Sequence, residues 1–228
     1  MPLSVRTCSR WWLVLALGGC SVSAVALLAL RYRATGSASH RFLVWNLFLA
    51  WIPFIAALAI DRLDRHRGTF LATWAVWLLF FPNAPYLVTD LIHLKVGTQV
   101  PLWYDALLFA SFATTGVLLG NASLSLVQAA LRRRHGPVIA WCGTIASLAL
   151  GAYGIYLGRV ERWNSWDLWT RPSVLFSAAA RPLLDPLGNR RAVAMSVLFF
   201  GFLLTAYLAT FAMAHLHRVD SGATGETS

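Results

Sequence analysis

Charge is what this sequence has least of. Only 12% of its 228 residues are charged, against about 25% in a soluble domain. Acidic residues number nine, and Lys95 is the single lysine. So few ionic groups cannot cover the surface of a water-soluble domain of this size, so that class is excluded. Cysteine is scarce too. Cys8, Cys20 and Cys142 make no CxxC pair and no even set, which excludes a disulfide framework and a zinc site. No P-loop, HExxH or Ser-His-Asp spacing appears, no long internal repeat is present, and no cofactor is implied.

What is abundant is apolar. Hydrophobic residues make up 58% of the chain, and they come in long runs. Basic residues outnumber acidic ones 19 to 9. In a soluble chain that balance suggests nucleic acid. Here the arginines sit between apolar runs and there is no basic soluble domain, so nucleic acid is excluded as a partner. The arginines read instead as loop anchors at anionic lipid headgroups.

A membrane span needs about 20 mostly apolar residues. Six stretches qualify, at about 11–30, 42–60, 69–93, 102–127, 137–158 and 193–213. The fold class expected is all-α, a polytopic transmembrane bundle of about six spans forming one domain over 1–217. The first stretch resembles a lipoprotein signal at Leu17-Gly18-Gly19-Cys20, but its apolar run continues to Leu30, so a retained span is expected. The thirty residues between spans five and six are too polar to cross, and part of 168–187 suits an interfacial helix. Residues 218–228 are small and polar and read as a short disordered tail. Gly116 and Gly120, then Gly143, Ser147 and Gly151, then Gly154 and Gly158, place small residues where helices approach closely in lipid. Several tryptophans, among them Trp103, Trp163, Trp166 and Trp169, fall near span ends, as headgroup anchors do.

The stretch FFPNAPYLVTDLIHL at 80–94 is the least ordinary. Pro82 and Pro85 lack N–H donors, would free the carbonyls of Leu78 and Phe81, and should break the third span near Phe81. Asn83 stands at the break, where its amide could satisfy a freed carbonyl. Asn83, Tyr86, Asp90 and His93 follow one helical face, which should turn inward because ionisable groups are costly against lipid.

Parity extends the cluster. With six spans, the start of span two, the end of span three, the start of span four and the end of span five share one side. Asn46, Asn83, Tyr86, Asp90, His93, Asp105, Arg159, Arg162, Asn164 and Asp167 therefore lie toward one membrane face. Asp90 or Asp105 is expected to pair with Arg159 or Arg162, since a lone charge in a bilayer is costly. Asp90 and His93 are the candidate catalytic groups. The remaining eight are candidate ligand-binding groups. A metal site is not expected, because one histidine with two acids is too sparse a ligand set. Arginines at 62, 65 and 67 and at 132–134 crowd two loops on the opposite side. The positive-inside rule then places the termini in the cytoplasm and the cluster outside, although Arg31, Arg33, Arg41, Arg190 and Arg191 pull the other way.

At these residues the chain resembles a family of bacterial integral membrane proteins called domain of unknown function 1361. The likeness rests on NLFLAWIP at 46–53, FFPNAPYLVTDLIHL at 80–94, PLWYD at 101–105 and GIYLGRVERWNSWD at 154–167. It implies a multi-pass protein of a bacterial cell (inner) membrane, and it carries no catalytic residues over.

Three functions remain compatible with the sequence. One is a structural or accessory membrane protein whose polar network fixes packing. The second is a transporter or binding protein for a small polar or anionic ligand. The third is a membrane enzyme acting on a lipid-linked substrate. The lipid bilayer, anionic headgroups and a lipid-linked substrate are the partners these readings imply.

Overall fold

An apolar run in a low-dielectric setting satisfies its backbone most simply as a helix, because every N–H then finds a carbonyl within the same segment. The chain follows that rule throughout. The computed structural model describes residues 3–62, 67–95 and 99–223, with side chains described for 10–60, 68–95 and 99–214. Among the described residues there is no strand. The elements are α1 (Leu3–Thr35), α2 (Phe42–Arg62), α3 (Arg67–Phe80), α4 (Asn83–Tyr86), a 3₁₀ helix (Leu87–His93), α5 (Leu102–Arg159), α6 (Asp167–Thr170), α7 (Pro172–Leu184) and α8 (Arg190–Ala223).

Five helical stretches are long and apolar enough to cross a membrane. The longest, α5, has 58 residues and would measure about 87 Å if straight, far beyond the roughly 30 Å of a bilayer core. It does not run straight. Gly136 takes φ 84 and ψ 174, well outside the helical region, and Pro137 follows it. A Cβ built on Gly143 would lie 2.9 Å from Leu131 Cδ1. Twelve residues of straight helix would separate those positions by about 18 Å, so the arms 102–135 and 137–159 fold back on one another. The expected fourth and fifth stretches are these two arms.

Two apolar cores flank this hairpin. One gathers Leu17 and Ala24 of α1, Leu47 and Phe54 of α2, Ala84 and Leu87, and Leu108, Phe109 and Phe112 of α5. The other gathers Ile60, Trp77, Phe81, Leu124, Val127, Leu148, Ile155, Leu203 and Tyr207. Outside the bundle, large apolar side chains are exposed in numbers, including Val22, Phe48, Ile55, Leu150, Val197 and Leu198. Such a surface suits lipid rather than water. The second half of the bundle also carries buried polar links that the apolar pattern hides: Tyr207 Oη donates to Gln128 Oε1 at 2.8 Å, and Asn121 Nδ2 donates to Thr210 Oγ1 at 2.9 Å.

The amphipathic segment expected between the fifth and sixth stretches is α7, with Val174, Phe176, Leu183 and Leu184 exposed. The Tyr153 hydroxyl holds it by donating to the Ala179 carbonyl. At the other end, α8 continues to Ala223, past the expected start of the tail at residue 218. Residues 224–228, and the side chains at 62, 65 and 67, lie outside the described residues.

Candidate binding site

The site is built on a corner. α3 stops at Phe80, residues 81–82 turn, and the chain resumes as one turn of α4 and then as 3₁₀ helix. The break expected from Pro82 and Pro85 is therefore present. A helix that ends leaves its last carbonyls without partners. Asn83 Nδ2 donates to the Phe80 carbonyl at 3.0 Å, and Ser165 Oγ donates to the Leu79 carbonyl at 3.1 Å. The same Asn83 amide also donates to Ser165 Oγ at 3.0 Å. Asn83 thus plays the part expected of it, but on a different carbonyl. The Phe81 carbonyl, which Pro85 cannot serve, accepts instead from the Ala84 N–H at 3.2 Å.

Glycines hold this corner from both sides. A Cβ on Gly116 would collide with the Ala84 carbonyl, and one on Gly120 would meet Pro85 at 3.5 Å. On the other arm of α5, a Cβ on Gly151 would press on Phe81 at 2.8 Å, one on Gly154 on Pro82, and one on Gly158 on Tyr86 at 3.3 Å. Gly116 and Gly120 on one arm, and the stripe from Gly151 onward on the other, receive a broken, proline-bearing corner rather than the face of a straight helix.

Beyond the corner the polar groups converge on Arg159. Its Nη1 donates to Asp90 Oδ1 at 3.2 Å and to Tyr86 Oη at 3.3 Å. Its Nη2 donates to the Thr89 carbonyl at 2.9 Å and to His93 Nε2 at 3.1 Å. Asn46 Nδ2 donates to the other Asp90 oxygen at 2.8 Å. Five of the expected residues, Asn46, Tyr86, Asp90, His93 and Arg159, therefore form one network. Thr89 joins them unforeseen. A 3₁₀ helix has three residues per turn, so the carbonyl three residues after Tyr86 comes round to the same side.

Three expected members stand elsewhere. Asp105 is paired with Arg31, not with Arg159 or Arg162: Arg31 Nε reaches Asp105 Oδ1 at 2.7 Å and Nη2 reaches Oδ2 at 3.2 Å. The reason is proximity, since the end of α1 packs on the start of α5, where Tyr104 Oη also donates to the Leu27 carbonyl at 2.7 Å. Arg162 stays at the surface in a left-handed backbone conformation, φ 58. Asp167 is spent locally. It accepts the Asn164 N–H at 2.8 Å and pairs with Arg171 at 3.2 Å. The Asn164 N–H, more than Arg171, holds its carboxyl below the usual carboxylate range.

Next to the Arg159 network lies a cavity of about 190 Å³. Asn46, Asn83, Tyr86, Asn164 and Ser165 give it polar walls, and Trp45, Trp163, Leu79 and Leu175 give it apolar ones. Among the described residues, no charged side chain lines it. Asn46 and Tyr86 belong to both cavity and network, so the charges stand behind the wall. Among the described residues, no group of three or more His, Cys, Asp or Glu side chains is placed to hold a metal ion.

No curated protein and no solved structure matches the chain. A family model, described as protein of unknown function (DUF1361), matches residues 45–206. The matched stretch contains Asn46, the proline corner, Asp90, Asp105 and Arg159, while α1 and Arg31 precede it. The match spans well over half of the sequence, and the chain belongs to this family.

Proposed function

We propose that this is a bacterial membrane protein of the accessory kind, which holds a neutral, hydroxyl-rich headgroup in the cavity beside the proline corner. The observation that carries the reading is the division between a closed charge network and an open neutral cavity. Both Asp90 oxygens are engaged, and both terminal nitrogens of Arg159 are engaged twice. His93 accepts from Arg159. An enzyme needs an acid or base free to reach a substrate, and Asp90, buried with both oxygens bonded, is not such a group. A transporter is usually built from repeated halves, and the sequence has none.

The cavity lining fits a sugar-like or polyol group. The amide oxygens of Asn46, Asn83 and Asn164 offer acceptors, the Asn164 amide and the Tyr86 hydroxyl offer donors, and Trp45 and Trp163 offer flat apolar faces. The volume is below the range of about 300–1,000 Å³ typical of drug-sized ligands, so it suits one headgroup and not a whole lipid. Trp45 is exposed, and indoles favour the headgroup level of a bilayer, so a lipid headgroup is the occupant favoured here.

The test uses the full chain in a polyoxyethylene detergent, exposed in turn to a monoglucosyl diacylglycerol and to phosphatidylglycerol. Native mass spectrometry should show retention of the glucosyl lipid and its loss in Leu175→Trp, which fills the cavity without touching the network. Equal retention of both lipids, or retention unaffected by Leu175→Trp, would overturn the proposal.

A further inference from the structure

We infer that a second site, the groove between the α1–α2 turn and the end of the 3₁₀ helix, binds a phosphate group. The groove encloses about 660 Å³. Its polar lining includes Arg31, Ser39, His40, His93, Lys95 and Gln99, and among the described residues no acidic one lines it. It stands independently of the neutral cavity, shares no lining residue with it, and would survive the failure of that reading.

Arg31 is the observation that points to a ligand. Asp105 takes its Nε and Nη2, and the side chain is almost wholly buried. Its Nη1 is buried as well and has no hydrogen-bond partner among the described residues. A buried donor without an acceptor is uncommon and marks a place where an acceptor belongs. The guanidinium forms part of the groove wall, so a phosphate oxygen entering the groove would supply that acceptor after a small side-chain shift. Asp105 fixes the planar fork in place, and a fixed fork is suited to phosphate.

The other lining groups add donors from other directions. Lys95 is exposed and makes no ion pair among the described residues. His93 Nε2 accepts from Arg159, so the neutral ring carries its proton on Nδ1 and can donate there. His40 Nδ1 bonds Ser39 Oγ at 2.8 Å, which leaves Nε2 unoccupied by that contact. One held cation, Arg31, one mobile cation, Lys95, and imidazole donors on different elements match the several oxygens of a phosphate better than a flat carboxylate.

A free phosphate and a lipid phosphate share this chemistry, and the test separates them. The full chain in polyoxyethylene detergent is titrated with inorganic phosphate, with short-chain phosphatidic acid and with the matching diacylglycerol, reading the thermal midpoint. A saturable rise with phosphatidic acid alone identifies a lipid phosphate. A saturable rise with both phosphates identifies the group itself. In either case the half-saturating concentration should increase about tenfold in Lys95→Gln, the loss of one charge-assisted contact. Arg31→Lys keeps the charge opposite Asp105 but removes the spare fork nitrogen, and should abolish the rise. If Arg31→Lys fails to fold, Lys95→Gln and His40→Gln carry the test. The inference is overturned if diacylglycerol gives the same rise, if neither phosphate gives one, or if the variants titrate as the unaltered protein does.

Discussion

Arg31, buried, and Arg159, half-buried, do different work with the same side chain. Arg31 faces a single carboxylate, with side-chain exposures of 4% and 2% for Arg31 and Asp105. Arg159 is less deeply buried, at 17% beside 1% for Asp90, yet it collects four acceptors from Tyr86, Thr89, Asp90 and His93. The first is a pair with a donor to spare, joining α1 to the start of α5. The second is a hub with both terminal nitrogens occupied, joining the end of α5 to the 3₁₀ helix. The number of acceptors that the fold brings to an arginine decides whether it locks packing or stays available to a ligand.

This contrast can be broken from either side. The largest loss is expected on removing the carboxylate that faces Arg31. Asp105→Asn leaves Arg31 charged and nearly without water, and removing one member of a buried pair costs about 3–5 kcal/mol. Folded yield in detergent should collapse, and Asp105→Asn combined with Arg31→Gln should recover part of it. A single variant with normal yield would mean that the pair is not buried as described.

Asn83→Leu comes lower in the series. It removes the donor to the Phe80 carbonyl, and a buried unsatisfied group costs about 1–3 kcal/mol. The lower end is expected, because Ser165 stays beside the corner. A thermal midpoint equal to that of the unaltered chain would remove Asn83 from the account of the break.

The smallest effect belongs to Asp167, whose partner Arg171 is largely exposed. Exposed ion pairs contribute about 0–1 kcal/mol. Its carboxyl is held below the usual range, chiefly by the Asn164 N–H. The unfolded value is about 3.9, so below about pH 4 the unfolded chain takes up a proton that the folded chain does not. The stabilisation is complete above that pH and is lost as pH falls through the lowered folded value. Asp167→Asn should therefore flatten the acid limb of midpoint against pH. An unchanged acid limb would show that the carboxyl is not depressed.

Much of this arrangement is legible in the sequence. The scarcity of charge and the length of the apolar runs give the helices, and two prolines within one turn give the corner. Asp90 and Arg159 pair as parity suggests, because both lie at the same end of neighbouring segments. The Arg31–Asp105 pair is not legible. The two residues stand 74 positions apart, and Arg31 sits with Arg33 and Arg41 in a group that reads as headgroup anchors. Thr89 is hidden because it contributes a backbone carbonyl, which a side-chain pattern does not mark. Asp167 carries two signals in the sequence, the depth that parity gives it and the i+4 neighbour Arg171, and the neighbour takes it. The glycine stripes announce a close approach, but nothing in their spacing says that a proline corner fills it.

The central claim is that Asp90 and Arg159 form a closed structural lock. A double-mutant cycle on thermal unfolding in detergent tests it most directly, using Asp90→Asn, Arg159→Gln and the two together. Asp90→Asn alone should cost about 1.5–3 kcal/mol, the range for hydrogen bonds to charged groups, since Arg159 keeps its other acceptors. Arg159→Gln should cost at least as much, because it strips the hub. The double variant should lose less than the sum of the two, because neither partner is then left charged and alone. Strictly additive losses, or an Asp90→Asn protein that melts with the unaltered chain, would contradict the lock.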